Sequence, residues 1–575
     1  MELNLTFTNS GILRNELRVG IVSTVTAQGI KVNLGHAGDV SGSYIDGSRY
    51  GRGEVGELLL IEGQQSISLG RLIEVSLPDK DRNELSQDFN GTNKLDAIGF
   101  VQLLGSINIE HLKIQAGISS YPRLGDRVFS APTEFISALP ELMNGGVTNE
   151  NISNITLELG EVTGETGSKI RVTPEKLFGR HCAILGSTGG GKSWTTAKVI
   201  EECAKYKNSK VIVIDATSEY RTLDPKFTIH SHIGKPLHKG HESIEICIPP
   251  TDFIESDFIA IFDPSGKVQG PKLKEAIKSL RLAQLEPELF PKGIVQKVSN
   301  SKVIYRQAMN KSNNSKLVDN PSQSFDINKL SSQVVQECCW DNTDAWGAAN
   351  TDLGYCTSLL TRIEAVIHSP SLQAVFKKNN NPDFESTLND FLTGDKCVLR
   401  LCLSDVSYEF YAREVLANVI GRKLLSFARQ ECFRHKPLLV VVDEAHNFLG
   451  KRVGSEDNST QLDAFEMIAK EGRKYGLNIC LATQRPRDIT EGVLSQMGTL
   501  LVHRLTNDRD REVVERACGE IDRSAASFLP NLKQGEIALV GVDFPIPMTI
   551  QMDKPIRPPK SDGPSFQDIW KNKDD

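Results

Sequence analysis

The sequence predicts an α/β protein: a core built on a mainly parallel β-sheet, with a small β-barrel ahead of it and a helical insertion within it. Three observations carry that expectation. Residues 186–193 read Gly-Ser-Thr-Gly-Gly-Gly-Lys-Ser, between the apolar run Cys182–Leu185 and a helix-like stretch from Trp194 to Ala204. Strand, glycine loop and helix in that order are the context in which G-x-x-x-x-G-K-[ST] cradles phosphates. From residue 179 onward, short apolar runs alternate with helix-period stretches, the mark of βαβ units. Ahead of it, residues 10–135 hold short β-like runs punctuated by glycine, as in a small barrel.

Taken in order, residues 1–140 form the barrel-like domain. Its strands are expected at Arg18–Val25, Ile30–Leu34, Val55–Ile61, Ser66–Ile73, Ile98–Ile107, Lys113–Ser119 and Tyr121–Phe129, with a polar loop at Ser86–Asn93. Residues 141–178, with several Gly and Asn, read as a connector. The first part of the core spans 179–251, with buried strands at Cys182–Leu185 and Val211–Asp215. Residues 252–380 show helical periodicity, clearest at Leu273–Ala283 and Tyr355–Ile367, and read as the insertion. The second part of the core, 381–555, supplies strands at Cys397–Leu403, Leu438–Asp443 and Leu477–Ala482, with a polar, mobile loop expected at 450–460. Residues 556–575, rich in Pro and Lys, read as an extended arm.

Composition narrows the class. The 575 residues leave room for roughly three to four domains. Hydrophobic residues make up 39% and charged residues 24%, as in soluble globular proteins. A net charge of −7 excludes a uniformly basic nucleic-acid coat, so any such contact must come from a local patch. The N-terminus has no signal-peptide pattern, and no apolar run is long enough to span a membrane. The eleven cysteines form no C-x-x-C pair and fit buried, reduced thiols, which points to a cytoplasmic setting.

The glycine loop dictates the chemistry that follows. Gly186, Ser187, Thr188, Gly189, Gly190 and Gly191 would turn backbone N–H groups toward a nucleotide, with Lys192 reaching the β- and γ-phosphates. Ser193 would ligate Mg²⁺, and Trp194 borders the same pocket. Leu438–Val442 leads into Asp443 and Glu444, an apolar strand ending in two acids. Asp443 is placed to hold Mg²⁺ and Glu444 to polarise the attacking water. Gln484, at the tip of another strand, either senses the γ-phosphate or is a turn residue. Arg473, at a helix end before Gly476, either reaches a neighbouring subunit as an arginine finger or complements the helix dipole. Arg180 is either a phosphate contact or a surface arginine. His230, His232, His238 and His241 crowd one stretch, but no Cys or carboxylate completes a ligand set at usual spacing. Asp215, Glu219 and Tyr220 follow a buried strand, and either line the nucleotide or a subunit interface or belong to a capped loop. Basic residues at 470–474 and 504–511 could meet a phosphate backbone or simply be solvated.

The ordered set of motifs resembles the HerA family of hexameric DNA translocases, within the HerA/FtsK group of RecA-like P-loop ATPases. Arg180–Ser193, Asp443-Glu-Ala-His-Asn447, Glu471–Gly476 and Ala482-Thr-Gln-Arg-Pro486 carry the resemblance. Tyr121-Pro-Arg-Leu-Gly-Asp126 resembles part of the family's HAS-barrel, and Gly535–Gly541 its C-terminal β segment. Family members more often carry His-Gly before the Glu-Tyr at 219–220, where this chain has Thr-Ser. The string Asp-Glu-Ala-His also occurs in DEAH helicases, but no Q-R-x-G-R motif and no second tandem core accompany it here.

The resemblance implies an ATP- and Mg²⁺-dependent motor, with Lys192, Ser193, Asp443, Glu444 and Gln484 in the ATPase site. It further implies that Arg473 acts in trans and that Arg180 is an additional phosphate contact. The expected assembly is a homo-hexamer around double-stranded DNA. A separate effector, a nuclease or a sirtuin-like protein, would dock on the barrel, in DNA end processing or anti-phage defence. The alternative is an ATP-regulated scaffold that activates a toxic effector without processive translocation.

Overall fold

The computed structural model describes residues 12–563 and Trp570, apart from 36–42, 46–47, 52, 65, 78–96, 109–113, 144–154, 164–168, 235–242, 312, 370–371, 373–375, 377–380, 455–458, 519–527, 543 and 562. The loop expected at Ser86–Asn93 lies outside the described residues, as do His238 and His241. Two compact units divide the chain. The first comprises Met1–Glu202, Gln484–Arg487 and Leu494–Pro555; the second comprises Cys203–Thr483, Asp488–Val493 and Ile556–Asp575.

The first unit holds the barrel. Strands Ile30–Leu34, Arg18–Val25, Arg127–Ser130, Leu58–Ile61, Ser66–Ser76, Ala97–Asn108 and Ile114–Ala116 follow one another in an antiparallel sheet. Ile30–Leu34 also pairs with Ala97–Asn108, so six strands close into a ring and the seventh extends from it. Period-two patterning explains which side faces in: Ile30, Val32 and Leu34 are buried while Lys31 and Asn33 between them are exposed. They join Val19, Val22, Leu59, Ile61, Leu72, Val101 and Val128 in one core. The strand expected from Tyr121 begins only at Arg127, because Tyr121–Asp126 forms a turn. In that turn the Arg123 amide donates to Asp126 Oδ2 at 2.6 Å, and Gly125 adopts φ +88°.

Beyond the barrel, the same unit holds the parallel pair Cys182–Leu185 and Thr499–Val502. Glu536–Gly541, Phe544–Met552, Leu157–Val162 and Lys169–Val172 extend it by antiparallel pairing. The segment 141–178, expected as a connector, therefore contributes two strands and the helix Pro174–Phe178 to the core. Only alternate residues there are apolar and buried (Leu157, Leu159, Ile170 and Val172), and their partner strand lies far downstream in the sequence.

The second unit is built on a six-stranded sheet in the order Leu477–Thr483, Leu438–Val442, Lys210–Asp215, Val398–Cys402, Thr228–Ile233 and Ile244–Ile246. Every pairing in it is parallel, and the central strands are buried throughout. The expected insertion is present as helices including Glu255–Phe262, Gly266–Leu285, Leu330–Glu337 and Asp352–His368, with one hairpin, Cys339–Asp341 and Trp346–Ala349. The insertion has its own core around Leu282, Phe290, Val295, Ala308 and Trp346. At its edge the buried Lys297 pairs with Glu337 at 2.6 Å.

The loop expected at 450–460 carries a short hairpin, Lys451–Val453 against Thr460–Leu462. Residues 556–561 form neither helix nor strand and are tied to the turn after Lys210–Asp215. Thr222 Oγ1 donates to Pro558 O at 2.7 Å, and Lys560 N donates to Glu219 O at 2.9 Å. Among the described residues no helix is long and apolar enough to cross a membrane, and none of the ten cysteines whose side chains are described forms a disulfide.

Candidate nucleotide site

In the first unit, Cys182–Leu185 is buried and delivers the chain into the glycine loop. The loop's backbone needs its glycines: Gly189 and Gly191 sit at φ +78° and +105°, where side chains are strained. Ser187 is tied down twice, its N–H and its hydroxyl both donating to Arg504 O at 3.1 and 2.8 Å. Gly190 N donates back to Ser187 O at 3.0 Å, which closes the turn. The helix Lys192–Ala204 starts at once, Thr195 N donating to Gly191 O at 3.0 Å. Lys192 is buried, Ser193 and Trp194 are half-buried, and Thr188 and Gly189 on the rim are exposed. A glycine loop at a helix N-terminus, with a shielded lysine beside it, suits an anionic ligand such as phosphate.

Gln484 joins this loop. Thr188 Oγ1 donates to Gln484 Oε1 at 2.5 Å, which puts the glutamine on the rim of the loop. Arg180 is exposed just ahead of the strand, its carbonyl accepting from Gly498 N at 2.8 Å. His503 was not singled out by the sequence. It is fully buried beneath the loop, its ring Nε2 lying 2.9 Å from Thr195 Oγ1. Burial holds its imidazole down at about 4, so it is neutral at ordinary pH.

In the second unit, Leu438–Val442 is buried from end to end and delivers Asp443, itself fully buried, whose N–H donates to Ile214 O at 3.1 Å. Glu444 follows in the left-handed region, φ 47° and ψ 45°. A non-glycine residue held there stores strain of about 1–3 kcal/mol, the kind found where function fixes a backbone. Its Oε2 lies 3.3 Å from His446 Nδ1, which in turn is 3.1 Å from Thr483 Oγ1. Two carboxylates at the end of a buried strand, one of them backbone-strained, suit metal holding and water activation.

The neighbouring strand ends in a network that sequence reasoning caught only in part. Asp215 is fully buried and accepts from Glu219 N and Tyr220 N, each at 3.1 Å, and from Arg400 Nε at 2.7 Å. Arg400 Nη2 donates to Ser218 Oγ at 2.9 Å. Burial works against the Arg400 charge, and the Asp215 carboxylate more than offsets it, leaving its pKa raised. The available signal was a lone arginine inside the apolar run Val398-Leu-Arg-Leu-Cys402, since a buried cation implies a buried partner.

Arg473 lies in the short turn Gly472–Tyr475 after helix Ala464–Glu471. It is exposed and forms no ion pair with a described residue. Of the four histidines singled out, His230 is within hydrogen-bond distance of Leu223 O and His232 of Ser243 Oγ.

A phosphate loop with its glycines in place and a buried strand ending in Asp-Glu, each on α/β architecture, define a P-loop nucleoside triphosphatase. Residues 157–337 match the family described as helicase HerA, central domain. A probable helicase of Methanocaldococcus jannaschii is 23% identical over 479 residues, 80% of each chain. The DNA double-strand break repair helicase HerA of Sulfurisphaera tokodaii is 25% identical over 74% of this chain and 75% of its own. Among solved structures, VirB4 of Thermoanaerobacter pseudethanolicus aligns over 71% of this chain and 98% of its own, with 15% identity and a TM-score of 0.45. The chain is an ATP-hydrolysing enzyme, similar to HerA helicases in its central part and along most of its length.

Proposed function

We propose that this chain is the subunit of a ring, a homo-hexamer, that uses ATP hydrolysis to move double-stranded DNA. Relatives named as helicases, matching 80% and 74% of the chain, support the DNA-directed part of this reading. One observation carries the ring: Arg473 is exposed at a helix end with no ion-pair partner in its own described chain. A cation left free in that way is available to a neighbour's transferring phosphate, which is how arginine fingers act.

In this reading the loop N–H groups and Lys192 bind and orient the triphosphate, and Arg180 adds a further contact. Glu444 takes the proton from the attacking water, and Gln484 registers whether the γ-phosphate is present. Ser193 and Asp443 offer the hard oxygen donors that Mg²⁺ requires, and the bound ion would neutralise phosphate charge. An effector, a separate nuclease or sirtuin-like protein, would dock on the barrel, where Tyr121 and Leu124 are exposed at 51% and 70%. End processing or anti-phage defence would follow from which effector that is.

The experiment is subunit mixing. Lys192→Ala and Arg473→Ala rings should each be inactive, yet mixed rings should regain duplex-stimulated ATPase, because some interfaces pair an intact loop with an intact finger. Failure of any mixture to recover activity would remove the trans role of Arg473. Turnover indifferent to duplex DNA, with effector activation retained in Glu444→Gln, would instead favour a scaffold over a motor.

A further inference from the structure

We propose that His503 is a positioning residue for ATP: its imidazole is the floor against which the phosphate loop is moulded before nucleotide arrives. The proposal rests on the reading of 186–193 as the nucleotide site and adds to it a residue outside the motif. His503 follows the strand Thr499–Val502 directly and continues its ladder, His503 N donating to Leu185 O at 2.7 Å. The next residue, Arg504, supplies the carbonyl that accepts both donors of Ser187. Two consecutive residues thus carry the strand's pairing past its end and under the first turn of the loop.

The ring fills the space the glycines leave. A Cβ on Gly186 would stand 2.6 Å from His503 Cβ, one on Gly190 3.5 Å from the same atom, and one on Gly191 3.3 Å from His503 Cε1. Those glycines therefore serve a second purpose besides approach to phosphate: they let the loop settle on the imidazole. The ring then couples the loop to the helix behind it. Its Nε2 is 2.9 Å from the hydroxyl of Thr195, whose own N–H holds Gly191 O. From the other side, Gly535 N donates to Gly190 O at 3.3 Å, so the loop is seated on both flanks.

An uncharged floor also leaves Lys192 as the cation that meets the phosphates. A loop fixed beforehand spares nucleotide binding the entropy of ordering it, which is the general source of affinity in pre-organised sites. A shorter side chain at 503 would leave a void under three glycines, and glycines are the residues with most conformational freedom to regain.

The test measures ATP and ADP affinity, kcat and KM, and the nucleotide-free thermal midpoint for the full-length wild type, His503→Ala, His503→Gln, Thr195→Val and Lys192→Ala. Expected is a rise in the Kd for ATP of about tenfold in His503→Ala, equal to about 1.4 kcal/mol. Its nucleotide-free midpoint should fall as well, because the void left by a buried side chain costs stability, so the nucleotide affinity is the deciding readout. His503→Gln, whose amide can reach Thr195 Oγ1, should recover most of the affinity, and Thr195→Val should lose about threefold. The proposal is overturned if His503→Ala lowers the nucleotide-free midpoint while its Kd and KM stay at wild type. Should His503→Ala not fold, wild-type Kd values in both Thr195→Val and His503→Gln overturn it equally. If Lys192→Ala binds ATP as the wild type does, the nucleotide-site reading itself fails; if only the His503 variants are silent, that reading stands and this proposal falls.

Discussion

Removing Arg400 should do more damage than removing any exposed residue of the site. The Asp215 carboxylate has no exposed surface, and the Arg400 side chain only 5%. Arg400→Ala takes away the 2.7 Å charge-assisted bond and leaves a buried anion on two backbone N–H groups. Breaking one side of a buried pair in this way costs about 3–5 kcal/mol. Against a total stability of about 5–15 kcal/mol for a folded domain, the loss is severe. The assay is native-state hydrogen exchange on the strand Val398–Cys402, whose amides report local opening. Exchange should accelerate by about two to four powers of ten, at 1.36 kcal/mol per tenfold. The turn after Asp215 should loosen with it, because Ser218 loses its partner Nη2. Adding Asp215→Asn removes the stranded charge while keeping one acceptor, so the double variant should regain at least about 2 kcal/mol relative to Arg400→Ala. A loss below about 1 kcal/mol, or strict additivity of the two changes, would refute the reasoning.

Two further outcomes follow from the site's geometry. Because burial holds His503 at about 4, against about 6.5 in an unfolded chain, the unfolded state takes up the proton first as pH falls through that window. Stability should therefore drop by about 2 kcal/mol between pH 7 and pH 5, and His503→Gln should flatten that part of the pH profile in thermal melts. Glu444 sits at φ 47°, so Glu444→Gly should stabilise its strand end by about 1 kcal/mol while abolishing turnover. Glu444→Gln should abolish turnover without that gain, so hydrogen exchange on peptides spanning 443–447 separates the two.

Much of the site was legible in the residues because it is local. The loop at 186–193 is a contiguous motif whose glycines are needed for backbone reasons alone, and Asp443-Glu444 ends an unbroken apolar strand. Arg400 and His503 were not singled out, since each acts on a partner brought close by sheet pairing rather than by chain order. Arg400 meets Asp215 across neighbouring parallel strands, and His503 meets the loop through the register of Thr499–Val502 on Cys182–Leu185. The two strands within 141–178 were missed for the same reason: alternating burial is a weaker signal than a continuous apolar run, and their partner lies at Phe544–Met552.

The sequence by itself determined the class of core, the phosphate loop, the acidic strand end and the helical insertion, because each is written in neighbouring residues through periodicity, glycine placement and charge. Tertiary structure alone decided what lies beneath the loop, what neutralises Asp215 and where Gln484 reaches. Those depend on which strands pair and in what register, and pairing energy is shared among segments far apart in the chain. It also decided that Glu444 is held in a left-handed backbone, a strain that no string of letters records and that only the packing around Asp443 and His446 can maintain.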